Sequence, residues 1–368
     1  MKKQDKAAPK KIYQEIAAYL MEQIESGKLK LGDAIYSEHT LCRLFNASRT
    51  SVRRAIREMV ENNILVSRHG SGTFVKGKVP PKSIALLNHY NRGLVANSLD
   101  TYFRDIVFDV EAEITRRNCR CLIYSGIIEN ASEITARTSH LNADGIILDG
   151  DYQSYFDDIN AFAEIFGACT ILDGNPDETD LPSVAPDLTP AFVELLTTIR
   201  NTRGDDRILF LHRETLARRR WTKTCFDAAV RQLEMADRVD SVAIDRDIVE
   251  PSLLALNPGV LLTPLLEHHL MERNCRVILC SSDRNAMHVI QLLRSRNYCV
   301  PDDVAVSGIY GIQLSEMTEP PMTTIRIPTR LMAAAAVRLT LDQIRGKAVP
   351  QRVLLPTAVF YRESLPKR

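Results

Sequence analysis

The sequence predicts an α/β protein with an N-terminal winged helix-turn-helix over residues 1–75 and a larger, two-lobed, doubly wound domain over residues 83–368, joined by a linker over 76–82. Three observations predict this architecture. Two apolar-periodic helices separated by a short turn precede a strand pair with glycines at its tip. A stretch containing two prolines and three lysines follows. Short apolar strands then alternate with helices over a length too great for one small domain.

The segment after Ser48 is predicted to be the helix that enters the major groove of DNA. Ser48 is a good N-cap, and no Gly or Pro interrupts the chain before Asn62. An apolar stripe is predicted to be buried: Val52, Ala55, Ile56, Met59 and Val60. On the open face, Arg49, Thr50 and Arg53 lie in the first turns, nearest the base edges. A solvated charged helix face is the alternative interpretation of these arginines.

The wing is predicted at the turn between two short strands. Gly70 and Gly72 flank Ser71, so the backbone can take positive φ and approach a phosphate chain closely. Arg68 and His69 stand where a side chain can reach the DNA backbone or the minor groove. For His69, an ordinary turn histidine is the alternative.

The charge is distributed unevenly between the two parts. Residues 1–78 contain 15 Lys+Arg and 8 Asp+Glu, a balance of +7, so the rest of the chain carries −6 to give the total of +1. A basic head on an acidic body is expected when one domain meets phosphate. The linker, with its two prolines, is predicted to be an extended spacer.

The body is predicted to contain parallel sheets with crossover helices, because strands and helices alternate along it. Two lobes of this kind place a ligand cleft at the carboxyl ends of the strands. The predicted lobes are residues 83–186 with 312–325, and residues 187–311 with 326–368. The predicted strands are Ile84–Leu87, Cys121–Tyr124, Gly145–Leu148, Cys169–Leu172, Arg207–Leu211, Val277–Cys280 and Val304–Ser307.

Several classes of protein are not indicated. No G-x-S-x-G, P-loop or H-E-x-x-H motif is present, and the eight cysteines form no CxxC pair or zinc-ligand set, so neither an enzyme, a cofactor nor a metal site is expected. The absence of a signal peptide and of an apolar run long enough to span a bilayer favours a cytoplasmic protein.

The head resembles the gluconate-repressor (GntR) family of bacterial winged-helix regulators over about Ile12 to Val75. The resemblance rests on Ala47-Ser48-Arg49-Thr50-Ser51-Val52-Arg53 and on Gly70-Ser71-Gly72-Thr73-Phe74-Val75. It implies DNA contacts by Arg49, Thr50, Arg53, His69 and Gly70. The surface expected to face DNA also includes Ser37, His39, Ser48, Ser51, Arg68 and Ser71. The family's arginine after Ser-Glu is His39 here, which implies a shifted operator preference.

The body resembles the ligand-binding core of the lactose/galactose-repressor (LacI/GalR) family, which shares the fold of periplasmic sugar-binding proteins. The resemblance rests on Val277–Asp283, Val300–Gly308 and Pro320–Arg326. The combination of this core with the head is similar to the arabinose-repressor type of sugar regulator. It implies an inter-lobe effector site containing Tyr102, Phe103, Asp187, Arg220, Asp283 and Tyr310.

The body departs from the LacI/GalR pattern at two pocket positions. The family has an acid after a glycine and an aromatic residue, but the corresponding stretch here is Gly308-Ile309-Tyr310-Gly311, which contains no acid. The family's pocket arginine corresponds by spacing to Thr222, so only Arg219 or Arg220, after a local shift, could take its place. Asp283 has the alternative role of a helix N-cap.

The sequence therefore predicts a DNA-binding transcription regulator, a repressor, that binds a pseudo-palindromic double-stranded operator as a homodimer under control of a carbohydrate effector. Two alternatives stay open. One is a ligand-independent DNA-binding protein with a degenerate sensor, and the other is an enzyme that retains a DNA-binding head.

Overall fold

The computed structural model describes residues 12–68, 70–76, 81–88, 101–125, 142–154, 159, 161–213, 217–244 and 259–367. The chain divides into two compact units, Met1–Pro81 and Lys82–Arg368. The predicted linker spans this boundary, but its residues 77–80 lie outside the described ranges.

The N-terminal unit is a winged helix-turn-helix, as predicted. Its described elements are helices α1 (Ile12–Glu25), α2 (Glu38–Phe45) and α3 (Arg49–Glu61) and strands β1 (Leu65–Arg68) and β2 (Gly72–Val75). The strands pair antiparallel, with Leu65 opposite Val75. Helix α3 begins at its predicted cap, because the Ser48 hydroxyl accepts a hydrogen bond from the Ser51 N–H at 3.2 Å.

The core of this unit is formed by one face of each helix and by the hairpin. In α3, Val52, Ala55, Ile56 and Met59 are buried, while Val60 is only half-buried. These residues pack with side chains from the other elements, namely Ile16, Leu20, Leu41, Leu65 and Val75. The predicted stripe therefore holds α3 against the fold and leaves its arginine face in solvent.

The second unit contains two six-stranded sheets among its described residues. The first sheet is parallel, in the order β13-β7-β6-β5-β3-β4, and the second has the order β14-β12-β11-β10-β8-β9, with β14 antiparallel to β12. The strands are β3 (Ser83–Asn88), β4 (Arg120–Ser125), β5 (Gly145–Asp149), β6 (Cys169–Leu172), β7 (Ser183–Asp187), β8 (Arg207–His212), β9 (Val239–Ala243), β10 (Cys275–Cys280), β11 (Ala305–Tyr310), β12 (Thr323–Arg326), β13 (Arg352–Pro356) and β14 (Ala358–Phe360).

Helices cover the sheets of the second unit, as expected for parallel strands buried on both faces. They are α4 (Tyr102–Arg116), α5 (Ala161–Phe166), α6 (Thr189–Arg203), α7 (Ala217–Gln232), α8 (Gly259–Glu267), α9 (Asp283–Ser295) and α10 (Thr329–Ile344). Short helical turns lie at Gly150–Ser154, Ala236–Arg238, His268–Glu272 and Gln313–Glu316. The predicted two-lobed α/β architecture is therefore present, one lobe around each sheet.

The predicted division of the chain between the lobes is wrong in its C-terminal part. Residues 312–325 were expected in the first lobe, but β12 pairs with β11 in the second sheet, with Ser307 opposite Thr323. The chain then crosses back, because α10 packs on α4 and β13 pairs with β7 of the first sheet. A short apolar strand can form its hydrogen bonds in either sheet, so its sequence alone does not predict which sheet it joins.

Candidate functional site

The residues expected to face DNA lie mainly on the exposed surface of the N-terminal unit. Exposed are Ser37, His39, Ser48, Arg49, Thr50, Arg53, Arg68, Gly70 and Ser71. Ser51 is half-buried, and His69 lies outside the described residues. The first turn of α3 thus presents Arg49 and Thr50 to solvent, as a groove-binding helix requires.

The serines on this surface have a structural task. The Ser37 hydroxyl accepts from the Thr40 N–H at 3.1 Å and caps α2, as Ser48 caps α3. The Ser51 hydroxyl lies 3.0 Å from the Ser48 hydroxyl. These side chains fix where the two helices begin, and so position the arginines that follow.

Arg53 is held by a neighbouring helix. Its Nε donates to the two carboxylate oxygens of Glu38 at 3.1 and 3.0 Å, which links α3 to α2. The Arg53 side chain is nevertheless 62% exposed. An exposed pair of this kind is weak, so the guanidinium can exchange the carboxylate for a phosphate at little cost.

The wing turns on two glycines with positive φ, Gly70 at +73° and Gly72 at +110°. Nothing lies within 4 Å of a Cβ built at either position, so the backbone conformation and not space requires glycine there. The Ser71 N–H donates to the Arg68 carbonyl at 3.0 Å, and the Arg68 guanidinium lies 5.0 Å from the Phe74 ring centroid. The wing is therefore a tight turn that presents backbone to solvent.

An inter-lobe cavity of about 570 Å³ lies in the second unit where α4, the end of β11 and the start of α10 meet. Its lining includes Tyr102, Asp105, Phe108, Asp109, Tyr310, Arg326, Pro328, Thr329 and Arg330. Rings beside charged and hydroxyl groups give it both apolar and polar walls. Such a cavity suits a small polar ligand with an apolar face.

Two tyrosines from opposite lobes contact each other in the lining of this cavity. The rings of Tyr102, on α4, and Tyr310, at the end of β11, stack with centroids 4.4 Å apart and an interplanar angle of 29°. Tyr310 has φ +114°, a strained conformation for a residue with a side chain. The Tyr102 hydroxyl donates to Asp173 at 2.8 Å, and burial raises the pKa of Tyr102 well above its ordinary value. The structure thus brings these two predicted residues together.

Asp283 is placed differently from both interpretations of the sequence. Ser282, not Asp283, caps α9, since its hydroxyl accepts from the Asn285 N–H at 3.2 Å. The Asp283 carboxylate is fully buried and accepts from the Ile312 N–H at 2.8 Å and from the Thr324 hydroxyl. One oxygen therefore holds the loop after β11 and the other holds β12, and Asp283 does not line the described cavity.

Arg220 does not line the described cavity. It forms a partly exposed ion pair with Glu178, with Nε 2.7 Å from a carboxylate oxygen. The two preceding arginines are buried. Arg218 was not among the predicted site residues, and Arg219 was predicted only as an alternative to Arg220. Arg219 lies 4.8 Å from the Tyr310 ring centroid, and Arg218 lies 4.4 Å from that of Phe103.

Asp187 lies half-buried at the end of β7, where the chain leaves the first lobe. Its backbone carbonyl accepts from the Thr357 hydroxyl at 2.8 Å, which ties two crossing segments together. It does not line the described cavity either. Asp187 therefore lies at the predicted crossing between the lobes, but it makes this contact through its backbone carbonyl and not through its carboxylate.

A buried ionic cluster that the sequence assignment missed lies behind the tyrosines. Arg218 contacts Asp149 at 2.6 Å, Asp151 at 2.7 Å and Asp173 at 2.8 Å. Burial, together with the nearby Asp151 and Asp173 carboxylates, raises the pKa of Asp149 to about 7, against the lowering effect of Arg218. The pKa of Asp173 is raised as well, again mainly by burial. The sequence contained one indication of this cluster, because Asp149 ends the apolar strand β5 and Asp173 directly follows the neighbouring apolar strand β6.

Other kinds of site are not found in the described part of the chain. No group of three or more His, Cys, Asp or Glu side chains within the described ranges could hold a metal ion. No helix within those ranges is long and apolar enough to cross a membrane.

The two parts of the chain match two known families. Residues 12–75 match the bacterial regulatory proteins of the gntR family, and residues 203–365 match the periplasmic binding protein-like domain. The match to the head coincides with the winged helix-turn-helix. The second match covers most of the lobe around the second sheet, together with α10 and β13.

Individual relatives are regulators. The mannosyl-D-glycerate transport/metabolism system repressor MngR of Escherichia coli is 40% identical over 101 residues, 27% of this chain and 42% of that protein. The regulator MalR of Streptomyces coelicolor is 28% identical over 199 residues, 51% of this chain and 54% of MalR. The chain thus spans about half of the length, or less, of these curated relatives.

A solved complex of the transcriptional regulator CelR with cellobiose shares the fold. It aligns with a TM-score of 0.61 and 21% identity over 97% of this chain and 100% of that chain. The chain therefore combines a winged helix-turn-helix that matches the gntR family with a domain that matches the periplasmic binding protein-like family, and the curated relatives named above are transcription regulators.

Proposed function

We propose that this protein is a sequence-specific transcription repressor whose affinity for operator DNA is set by a small carbohydrate bound between the lobes of its second unit. The observation that carries the DNA-binding part is the first turn of α3. Arg49 and Thr50 stand exposed there on a helix capped by Ser48, in a domain of gntR type. The arginine fork can pair with guanine O6 and N7.

The proposed DNA partner is a pseudo-palindromic duplex bound by a homodimer, because a twofold protein reads a twofold operator. A repressor acts on chromosomal DNA, so the proposal includes a cytoplasmic location. Light scattering of the free protein and of its DNA complex measures both stoichiometries. A complex with one protein chain per duplex would exclude the dimeric arrangement.

Selection from a random duplex library, with the purified full chain, tests the DNA-binding proposal. A selected sequence should bind much more tightly than a scrambled duplex at the same salt concentration. Arg54→Ala is the matched control for Arg49→Ala, since Arg54 lies on the same helix but packs over the Tyr13 ring at 3.9 Å. Failure of the library to enrich any sequence would contradict the proposal.

The carbohydrate part of the proposal rests on the inter-lobe cavity. Phe108 supplies an exposed ring on which the apolar face of a sugar can lie, the buried Tyr102–Tyr310 pair forms part of the wall, and Asp105, Asp109 and Arg326 supply charged groups for hydroxyls. The printed names of two similar proteins also mention sugars: MngR is the repressor of a mannosyl-D-glycerate system, and the solved CelR structure is a complex with cellobiose.

Thermal-shift screening of pentoses, hexoses, uronic acids and their phosphates tests this part. A ligand at about 100 times its dissociation constant adds roughly 2.7 kcal/mol to the free energy of unfolding. A hit should disappear in Tyr310→Ala and persist in Tyr298→Ala, a tyrosine outside the described cavity lining.

A second candidate function is a DNA-binding protein that responds to no ligand. Two observations favour it, namely Tyr310 at the place of the expected pocket acid and the Asp283 carboxylate committed to protein donors. A screen with no stabilising sugar, alongside intact operator binding, would support this candidate over the first.

A further inference from the structure

Helix α7 belongs to the second lobe, but its first turn binds the first lobe. The helix follows β8 of the second sheet and packs along α6. The Ala217 N–H donates to the Ser154 hydroxyl at 2.7 Å, and the Trp221 indole N–H donates to the Pro186 carbonyl at 2.8 Å. Ser154 follows β5, and Pro186 lies in β7, both in the first lobe. The turn is therefore a bridge across the cleft.

The strongest part of this bridge is Arg218. Its guanidinium reaches three carboxylates at or after the carboxyl ends of β5 and β6, at 2.6 to 2.8 Å. The Arg218 side chain is only 3% exposed, and that of Asp151 is fully buried. Each of its three contacts is a charge-assisted hydrogen bond sheltered from water, the class that contributes most.

The next residue, Arg219, contacts the second lobe instead. Arg219 donates to the Ser281 carbonyl at 2.6 Å and lies over the Tyr310 ring, and both of these groups belong to the second lobe. Two successive arginines thus anchor one helical turn to both lobes. The first lobe's acceptors are carboxylates, whereas the second lobe offers a carbonyl and a ring.

Opening the lobes would separate one buried cation from three buried carboxylates. Opening would therefore break three sheltered charge-assisted hydrogen bonds at once, whereas an exposed pair offers a single contact that water already weakens. We propose that Arg218 is an intramolecular latch, which occupies the carboxylate site of the first lobe and holds the two lobes closed when no effector is bound.

The latch would act on hinge motion between the lobes, a common switching element in two-lobed folds. A ligand alters such an equilibrium only through its different affinity for the two states. An effector in the cavity on the other side of the Tyr102–Tyr310 pair would then stabilise or release an already closed cleft. The latch itself does not depend on that effector, so it can be tested in the free protein.

The chain provides its own reporter for this test. It contains a single tryptophan, Trp221, which is buried and hydrogen-bonded across the lobes. Trp221 emission and acrylamide quenching are measured for the free full chain as wild type, Arg218→Gln and Arg219→Gln. Arg219→Gln is the matched control, because Arg219 is equally buried but its guanidinium donates to the Ser281 carbonyl of the second lobe and not to the three carboxylates that Arg218 contacts.

We expect Arg218→Gln to shift the emission to longer wavelength and to increase quenching, while Arg219→Gln stays close to wild type. Amide exchange at Ala217 should become at least about tenfold faster in Arg218→Gln only, because its acceptor lies in the other lobe. A folded Arg218→Gln protein with wild-type emission and exchange would overturn the latch, and so would equal changes in both variants.

Arg220→Gln keeps the proposal testable if Arg218→Gln does not fold. It removes the partly exposed contact with Glu178, the outermost link between α7 and the first lobe. A smaller change in the same direction is expected for Trp221 quenching. No change in Arg220→Gln, or a change that Glu178→Gln fails to reproduce, would count against a bridge at this turn. Sugar or DNA binding enters neither measurement, so the outcome is independent of the proposed function.

Discussion

The two units use arginine in opposite ways. On α3, Arg53 contacts one carboxylate, and water reaches both partners, whose side chains are 62% and 40% exposed. On α7, Arg218 meets three carboxylates and is almost entirely buried. Little free energy is needed to move an exposed charged side chain from one partner to another, whereas separating a buried ion pair costs more. The comparison indicates that the head is built to exchange its contacts and the cleft is built to keep them.

The largest effect is expected when the buried arginine is removed. Arg218→Gln leaves three carboxylates without their cation and should cost about 3–5 kcal/mol in the free energy of unfolding. Urea denaturation of the two variants measures this against Arg53→Gln, for which less than about 1 kcal/mol is expected. Similar losses in the two variants would erase the distinction between the units.

The next largest effect concerns DNA and not stability. Arg49→Ala should weaken binding to the selected operator by about 1–3 kcal/mol, with little change in unfolding, because the side chain is exposed at the start of α3. Fluorescence anisotropy against operator and scrambled duplex separates the two kinds of contact. An equal loss on both duplexes would assign Arg49 to phosphate contact instead of base readout.

A pH dependence should come from the cleft. The pKa of Asp149 is raised to about 7 in the folded protein, where Arg218, Asp151 and Asp173 face it. A raised carboxyl pKa means that the folded state binds the proton more tightly, so this contribution is lost as the pH rises through about 7.

Comparison of wild type with Asp149→Asn between pH 5 and pH 7 measures that contribution. The free energy of unfolding of wild type should fall relative to the variant by up to about 1.4 kcal/mol per pH unit. A difference that stays constant, or rises with pH, would contradict the raised pKa.

The smallest effect is expected at the exposed pair of the head. Glu38→Gln releases Arg53 and should change the free energy of unfolding by less than about 1 kcal/mol. Operator affinity should rise slightly at low salt, since a competing carboxylate is lost, and the gain should vanish as salt is added. A weaker complex would mean that Glu38 positions Arg53 for DNA.

The elements of the head could be predicted because local chemistry determines them. Ser48 starts α3, the apolar stripe faces the core, and the wing needs glycine at Gly70 and Gly72. Each of these signals operates within a few residues of the chain. The alternation of strands and helices in the body was equally local, and the predicted strands match to within three residues at either end.

The cleft could not be predicted in the same way, because its contacts join segments distant in sequence. Asp149, Asp173 and Arg218 come together only once the sheet order places β5 beside β6 and the first turn of α7 opposite both. Family spacing falls on Thr222 and leaves Arg219 or Arg220 as the substitute, whereas the residue that contacts the carboxylates is Arg218. Sheet order also decided the lobe of β12, which a short apolar run does not encode.

The central claim is that a ligand between the lobes controls the head, and operator affinity with and without a stabilising sugar tests it most directly. The account predicts that saturating sugar changes the dissociation constant for operator by about 5- to 150-fold, the usual range of coupling between two sites. A sugar that stabilises the protein but leaves operator affinity unchanged would contradict it.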